Sequence, residues 1–294
     1  MDGDFLHQFG TLAEKTVFVS DGTMDVSGSV ELYVNKIARG IAPVRLTGNY
    51  GSEILRGNIA FKPNLKNTNL FEPGFAGLIE AAGNAYAQEA MGNKLSFIAF
   101  KQVPWHHYSR LSVEQTQLTV RSPYLDNDLV RLMYRAPSET ACNDTFLRLV
   151  AEGNPALSRV ATDRGIIHHP FPGMGCARRL CQNITFKADY AFDSGMPQWL
   201  ARCNQAFAPL RLERLFLGRH RFYHFRVWFR DELAGYLREV ILDARTRRRS
   251  HFRGNYLEGL LKDHLSGKRN YTTEIQKALT LELIQRQLLE RNWN

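Results

Sequence analysis

Val44-Arg45-Leu46-Thr47-Gly48-Asn49-Tyr50-Gly51-Ser52-Glu53-Ile54-Leu55-Arg56-Gly57 begins as a short apolar strand and runs into a turn with two glycines and a single acid. In an α/β protein, a turn at the carboxyl end of a parallel strand lies where ligands usually bind, and small residues there let backbone amides approach phosphate oxygens. Phosphate chemistry is the first expectation. Upstream, Val30, Tyr33, Val34, Ile37 and Ala38 repeat at the spacing of an amphipathic helix, which Gly40 ends. Helix, strand and glycine turn therefore follow one another as in a doubly wound unit. Ser20-Asp21-Gly22 and Ser27-Gly28-Ser29 read as a loop, with Ser27 or Ser29 available as an N-cap.

Past residue 60 sheet signals almost vanish. Ala76 to Met91 is alanine-rich and helical, and Asp128 to Tyr134 carries Leu129, Val130, Leu132 and Met133 as a short buried face. Ile166 to Phe192, rich in Pro, Gly, His and Cys without a clear period, reads as a long connection or a surface subdomain. Two helical stripes follow, Phe229-Leu233-Tyr236-Leu237-Val240-Ile241 and Leu257-Leu260-Leu261-His264-Leu265, and 274–290 makes a last helix. The expected class is α/β: a partial doubly wound parallel sheet in residues 1–165, then a mostly helical region in 166–294 packed on the same domain. One readable strand cannot bury both faces of a parallel sheet, so neighbouring strands are expected from elsewhere.

The 294 residues are 44% hydrophobic and 23% charged, an ordinary globular balance. No apolar run is long enough to span a bilayer, and the start, Met-Asp-Gly-Asp-Phe-Leu, has neither a basic nor an apolar leader region, so a cytoplasmic protein without membrane contact is expected. The net charge of +9 favours anionic partners. Arg245-Thr246-Arg247-Arg248-Arg249 follows a helix end where cations are favoured anyway, and Arg219 to Arg226 alternates as a packed edge strand would, so nucleic acid is the weaker reading of both. Cys142, Cys176, Cys181 and Cys203 lack the tight pairing of a structural zinc site. His106-His107 and His168-His169 read as surface or core histidines rather than metal ligands.

Further segments give these features a common frame. The turn resembles the Leu-Ser-Gly-x-Gly-x-Asp-Glu signature of the asparagine synthetase family of the glutamine-hydrolysing type. Val120-Arg121-Ser122-Pro123-Tyr124-Leu125-Asp126 resembles its Arg-x-Pro-Phe-Leu-Asp segment, with Ser112-Val113-Glu114 standing for the Val-Glu ahead of it. Trp228-Phe229-Arg230 and His264 to Asn270 resemble its C-terminal Trp-Phe-Arg helix and His-x-x-Gly-x-x-Asn turn. The similarity runs in order over roughly residues 5–290. It implies an adenine nucleotide alpha-hydrolase-like domain that activates a carboxylate, aspartate or an analogue, as an acyl-adenylate and lets ammonia displace AMP.

The resemblance implies ATP and Mg²⁺ as cofactors. Gly48, Gly51 and Ser52 would line the nucleotide site. Glu53, chosen by both the ungapped alignment and the one with a single insertion, would act in catalysis and hold Mg²⁺. Arg121 and Asp126 would support the site as an internal ion pair. Arg164, beside Asp163 at the position of the family's lysine, would take the charge-stabilising role. The family's Ser-Gly-Gly-x-Asp-Ser loop has no counterpart in the sequence, and Asp2 stands where a glutamine-hydrolysing relative carries cysteine. The chain therefore looks like the C-terminal part of a synthetase domain, either a truncated gene product or a subunit that relies on a separate chain for the first nucleotide loop and the glutaminase. Asn49, Ser52 and Asp163, at positions where relatives carry reactive groups, support an alternative: an inactive regulatory or interaction module that keeps the fold.

Overall fold

The computed structural model describes residues 3–60, 63, 68–137, 143–157, 160, 172–206 and 216–290. Helix α1 (Gly3–Val19) opens the chain and buries Phe5, Phe9, Ala13, Thr16 and Val17 along one face. Phe9 is fully enclosed, its ring centroid 6.0 Å from Phe225, 6.1 Å from Phe229 and 5.6 Å from Tyr236. The helix ends in a turn where Asp21 and Gly22 both take positive φ, 49° and 72°. A side chain at Gly22 would meet Ile284 at 2.4 Å, so glycine satisfies the backbone and the close packing together.

Helix α2 (Ser29–Arg39) is capped differently from expectation. Gly28 occupies the N-cap without a side-chain bond, while Asp25 accepts from Ser27 N at 2.9 Å and caps the preceding short turn. Val30, Leu32, Tyr33 and Asn35 are buried, whereas Ile37 emerges from the packed stripe and is half exposed.

Strand β1 (Val44–Leu46) pairs in parallel with β2 (Thr119–Arg121), Val44 opposite Thr119 and Leu46 opposite Arg121. Between them lie α3 (Gly51–Arg56), α4 (Pro73–Glu89) and one long interrupted rod. The rod begins as α5 (Lys94–Phe97), widens into a π-helical stretch Ile98–His107 around Pro104, and ends as α6 (Tyr108–Gln115). A proline cannot donate into the helical ladder, and the widened stretch accommodates it. The protein is thus mostly helical with a small parallel sheet. The described residues form only this two-stranded pair, with Arg45 and Val120 facing inward and Val44 and Leu46 left exposed.

Helix α7 (Asn127–Arg135) follows β2, but its face is half-buried rather than buried: Leu132 is exposed, and Val130 and Met133 pack partially beside Tyr50, Ile54, Phe97 and Ile98. Helices α8 (Asn143–Gly153), α9 (Pro172–Tyr190) and α10 (Gln198–Ala206) come next. The segment read as a loop or subdomain over 166–192 thus contains a 19-residue helix, α9, whose glycines and first-turn proline conceal its period from the sequence. Arg219 to His224 forms no strand. Instead the Arg221 guanidinium stacks on Tyr190 at 4.5 Å and on Tyr223 at 4.2 Å.

The main core is completed by α11 (Phe225–Arg230), α12 (Ala234–Ile241), α13 (Ala244–Arg247), α14 (Gly254–Leu265) and α15 (Thr272–Ile284). The expected stripes are buried there, with Phe229, Leu233, Leu237, Val240 and Ile241 joining Leu257, Leu260 and Leu261. Phe5 and Phe9 from the start of the chain share this core with Leu279 and Leu283 near its end. Removing the Phe9 ring leaves a cavity that its helical neighbours cannot close. Phe9→Ala is expected to lower unfolding free energy by about 3–5 kcal/mol, measured by urea denaturation with an unchanged slope.

Candidate functional site

The glycine turn sits at the carboxyl end of β1, as a parallel strand predicts, and is fastened to the loop after β2. Thr47 N donates to Arg121 O at 2.9 Å, and Ser122 Oγ donates to Asn49 O at 2.8 Å. Gly51 lies under the Tyr124 ring so closely that a Cβ there would stand 3.0 Å away. Neither Gly48 nor Gly51 takes positive φ. That conformation falls on Tyr50, at 76°, an unusual state for an aromatic residue and a store of local strain. Packing holds it, because the Tyr50 ring is buried, meets the His107 ring edge-on at 4.4 Å, and donates its hydroxyl to His107 O at 3.2 Å.

Glu53 is also turned inward. It is 9% exposed, with its Oε1 3.7 Å from His107 Nε2. Burial, reinforced by the nearby Arg110 charge, pulls the His107 imidazole down to about 4. His107 is accordingly neutral at neutral pH, and its contact with Glu53 is polar rather than ionic. Ser52 Oγ accepts from the Arg56 guanidinium one helical turn on. Gly48 faces open space, with nothing within 4 Å of a built Cβ.

Behind the turn lies a buried ion network. Arg45 of β1 reaches Glu114 Oε2 at 3.0 Å and Asn35 Oδ1 at 2.6 Å. Arg110 of α6 pairs with Glu31 of α2 and lies 3.5 Å from Glu114 Oε1. Glu114 is fully buried, and desolvation raises its pKa against the opposing pull of Arg45 and Arg110. In the sequence Glu114 stands only inside a motif, His107 reads as a surface or core histidine and is buried, and Arg45 and Arg110 carry no functional signal. Their partners lie far away along the chain, so spacing carries no signal for them.

The structure brings the turn carrying Gly48, Gly51, Ser52 and Glu53 against the loop after β2 through Arg121, Ser122 and Tyr124, but without the expected Arg121–Asp126 ion pair. Asp126 instead caps α7, accepting from Asp128 N at 2.9 Å and Leu129 N at 3.3 Å. Arg164 and Asp163, like His168 and His169, lie outside the described residues. No group of three His, Cys, Asp or Glu side chains able to hold a metal occurs among the described residues. The C-terminal motif residues serve the core: Asn270 Nδ2 donates to Phe192 O and Asp193 O, and His264 Nδ1 accepts from Tyr271 N. The basic run is largely consumed by acids, with Arg245 on Glu290, Arg247 on Glu258 and Arg249 on Glu282. No described helix is long and apolar enough to cross a membrane.

No family model, curated protein or solved structure matches the chain.

Two measurements probe the turn and its support. Arg45→Ala leaves the Glu114 carboxylate buried with one cation fewer and is expected to cost about 3–5 kcal/mol. Adding Glu114→Gln should recover part of that loss in a double-mutant cycle read by denaturation. For His107, the unfolded chain takes up a proton near 6.5 and the native state only near 4. Native stability should therefore fall as pH drops from 6.5 towards 4, and His107→Gln should shallow that fall.

Proposed function

We propose that this chain is an asparagine-synthetase-like domain of an ATP-dependent amide-forming ligase, with nucleotide phosphates received at the carboxyl edge of the β1–β2 pair. One observation carries the reading. The turn at Gly48–Glu53 and the segment Arg121–Asp126, which resemble two motifs of that family, meet through the Ser122–Asn49 bond between residues 73 positions apart. Ligands of open parallel sheets bind outside the carboxyl ends of the strands. The open space at Gly48 leaves room for a phosphate oxygen there.

In the reaction, an oxygen of the acceptor carboxylate attacks the α-phosphorus of ATP and pyrophosphate leaves. Ammonia then adds at the acyl carbon, AMP departs and the nitrogen loses a proton. Aspartate or an analogue is the acceptor. Such a ligase also needs a larger doubly wound sheet carrying a Ser-Gly-Gly-x-Asp-Ser loop, and a source of ammonia. The inward-facing Glu53 carboxylate does not fit a Mg²⁺ ligand, so no step is assigned to the metal at this residue.

The internal commitments of Ser52 to Arg56 and of Glu53 to His107 favour a second reading, an inactive module that retains the fold. Photolabelling with an azido-ATP analogue separates binding from its absence. Label is expected in peptides spanning 47–52 or 122–126, competed by ATP and abolished in Gly48→Val. Label elsewhere, or labelling indifferent to Gly48→Val, would overturn the phosphate site. AMP release from ATP, aspartate and ammonia, once a domain bearing the first nucleotide loop is supplied, distinguishes the ligase from the inactive module.

A further inference from the structure

A cleft of about 560 Å³ opens on the other side of the π-helical stretch, where Asp21, Tyr86, Trp105, His106, Tyr108 and Ser109 line it. That volume is in the range of small-molecule sites. We propose that this cleft binds a small free organic ammonium ion, its alkyl head against the aromatic rings and its charge facing Asp21. The inference is independent of the ligase reading.

Three observations support it. The first is charge: in a chain of net +9, the acidic lining residue is Asp21 and there is no Lys or Arg in the wall. Burial lowers the pKa of His106, so this histidine is neutral at neutral pH. The Asp21 carboxylate has no hydrogen-bonded or ion-paired partner among the described residues, and it is held at the rim by the left-handed backbone after α1.

The second is the wall itself. The Tyr86 and Trp105 rings pack on each other, their centroids 6.0 Å apart at 44°, and with Tyr108, 68% exposed, they make an aromatic wall for the alkyl part of the ligand. The Lys101 ammonium beside the Trp105 ring, 5.4 Å from its centroid, is paired with Glu89, so its charge is compensated outside the cleft lining.

The third is rigidity. Thr23 and Ser109 hydroxyls are hydrogen-bonded across the cleft, fixing the turn after α1 against α6. Pro104 and the π-helical winding set Trp105 and His106 towards the cleft while the next residue, His107, backs Glu53. Widened turns of this kind frequently accompany functional sites.

Calorimetric titration of the full chain with choline and with n-butylammonium, each against its neutral isostere, tests the proposal. At least one cation is expected to bind saturably and about tenfold more tightly than its uncharged counterpart. Asp21→Asn, which suits the left-handed backbone at least as well, should weaken binding several-fold without lowering the melting temperature. Trp105→Leu should abolish binding and Trp105→Phe should restore part of it. Equal binding of the neutral isosteres, no saturable binding of either cation in the millimolar range, or indifference to Asp21→Asn and Trp105→Leu would each overturn it. Association with phosphatidylcholine vesicles without binding of free choline would overturn the assignment to a free ligand.

Discussion

The Glu114 carboxylate, fully buried and held between Arg45 and Arg110, is the constraint on which the strand–turn unit depends. A carboxylate without water survives only where cations compensate its desolvation, and here the two come from β1 and from α6. Arg45 also binds Asn35, and Arg110 also binds Glu31, so α2 is drawn into the same network. Strand, preceding helix and following rod are thereby fixed at one point. The turn at Thr47 to Gly51 inherits its position from that point, and so does the strain accepted at Tyr50.

The π-helical stretch links the two functional proposals. His106 and His107 are neighbours in sequence and face different sites, one the aromatic cleft and the other Glu53 and Tyr50. Burial holds both below the ordinary histidine pKa, so neither imidazole adds positive charge to its site at neutral pH. On one side the result is an apolar cleft with a free acid at its rim. On the other, a backbone turn is supported from beneath by neutral packing and, further in, by the ion network.

Much of the helical fold was legible in the residues. The stripes at 229–241 and 257–265 have the helical period and are buried together. The stripe Phe5-Phe9-Ala13-Val17 has the same near-helical spacing in the sequence and is buried with them. Helix α9 was concealed by Pro172, Gly173 and Gly175 in its first turns, residues that weaken a helical reading without preventing a helix. Arg221 gave a strand-like alternation and proved to be a cation held between tyrosines, a contact no local period encodes.

The candidate site divides in the same way. By itself the sequence determined that a short strand runs into a two-glycine turn, that the chain is basic, and that its second half is helical, because these rest on local composition and on periods of two and 3.6. Only the tertiary structure decided that Tyr50 rather than a glycine takes the left-handed backbone, that Glu53 points to His107, and that Asp126 caps a helix instead of pairing with Arg121. Those outcomes depend on which groups lose water together. Burial of Glu114, His107 and Tyr50 arises from elements that are distant in sequence and adjacent in space, and the cost of desolvating charge then dictates the direction each side chain takes.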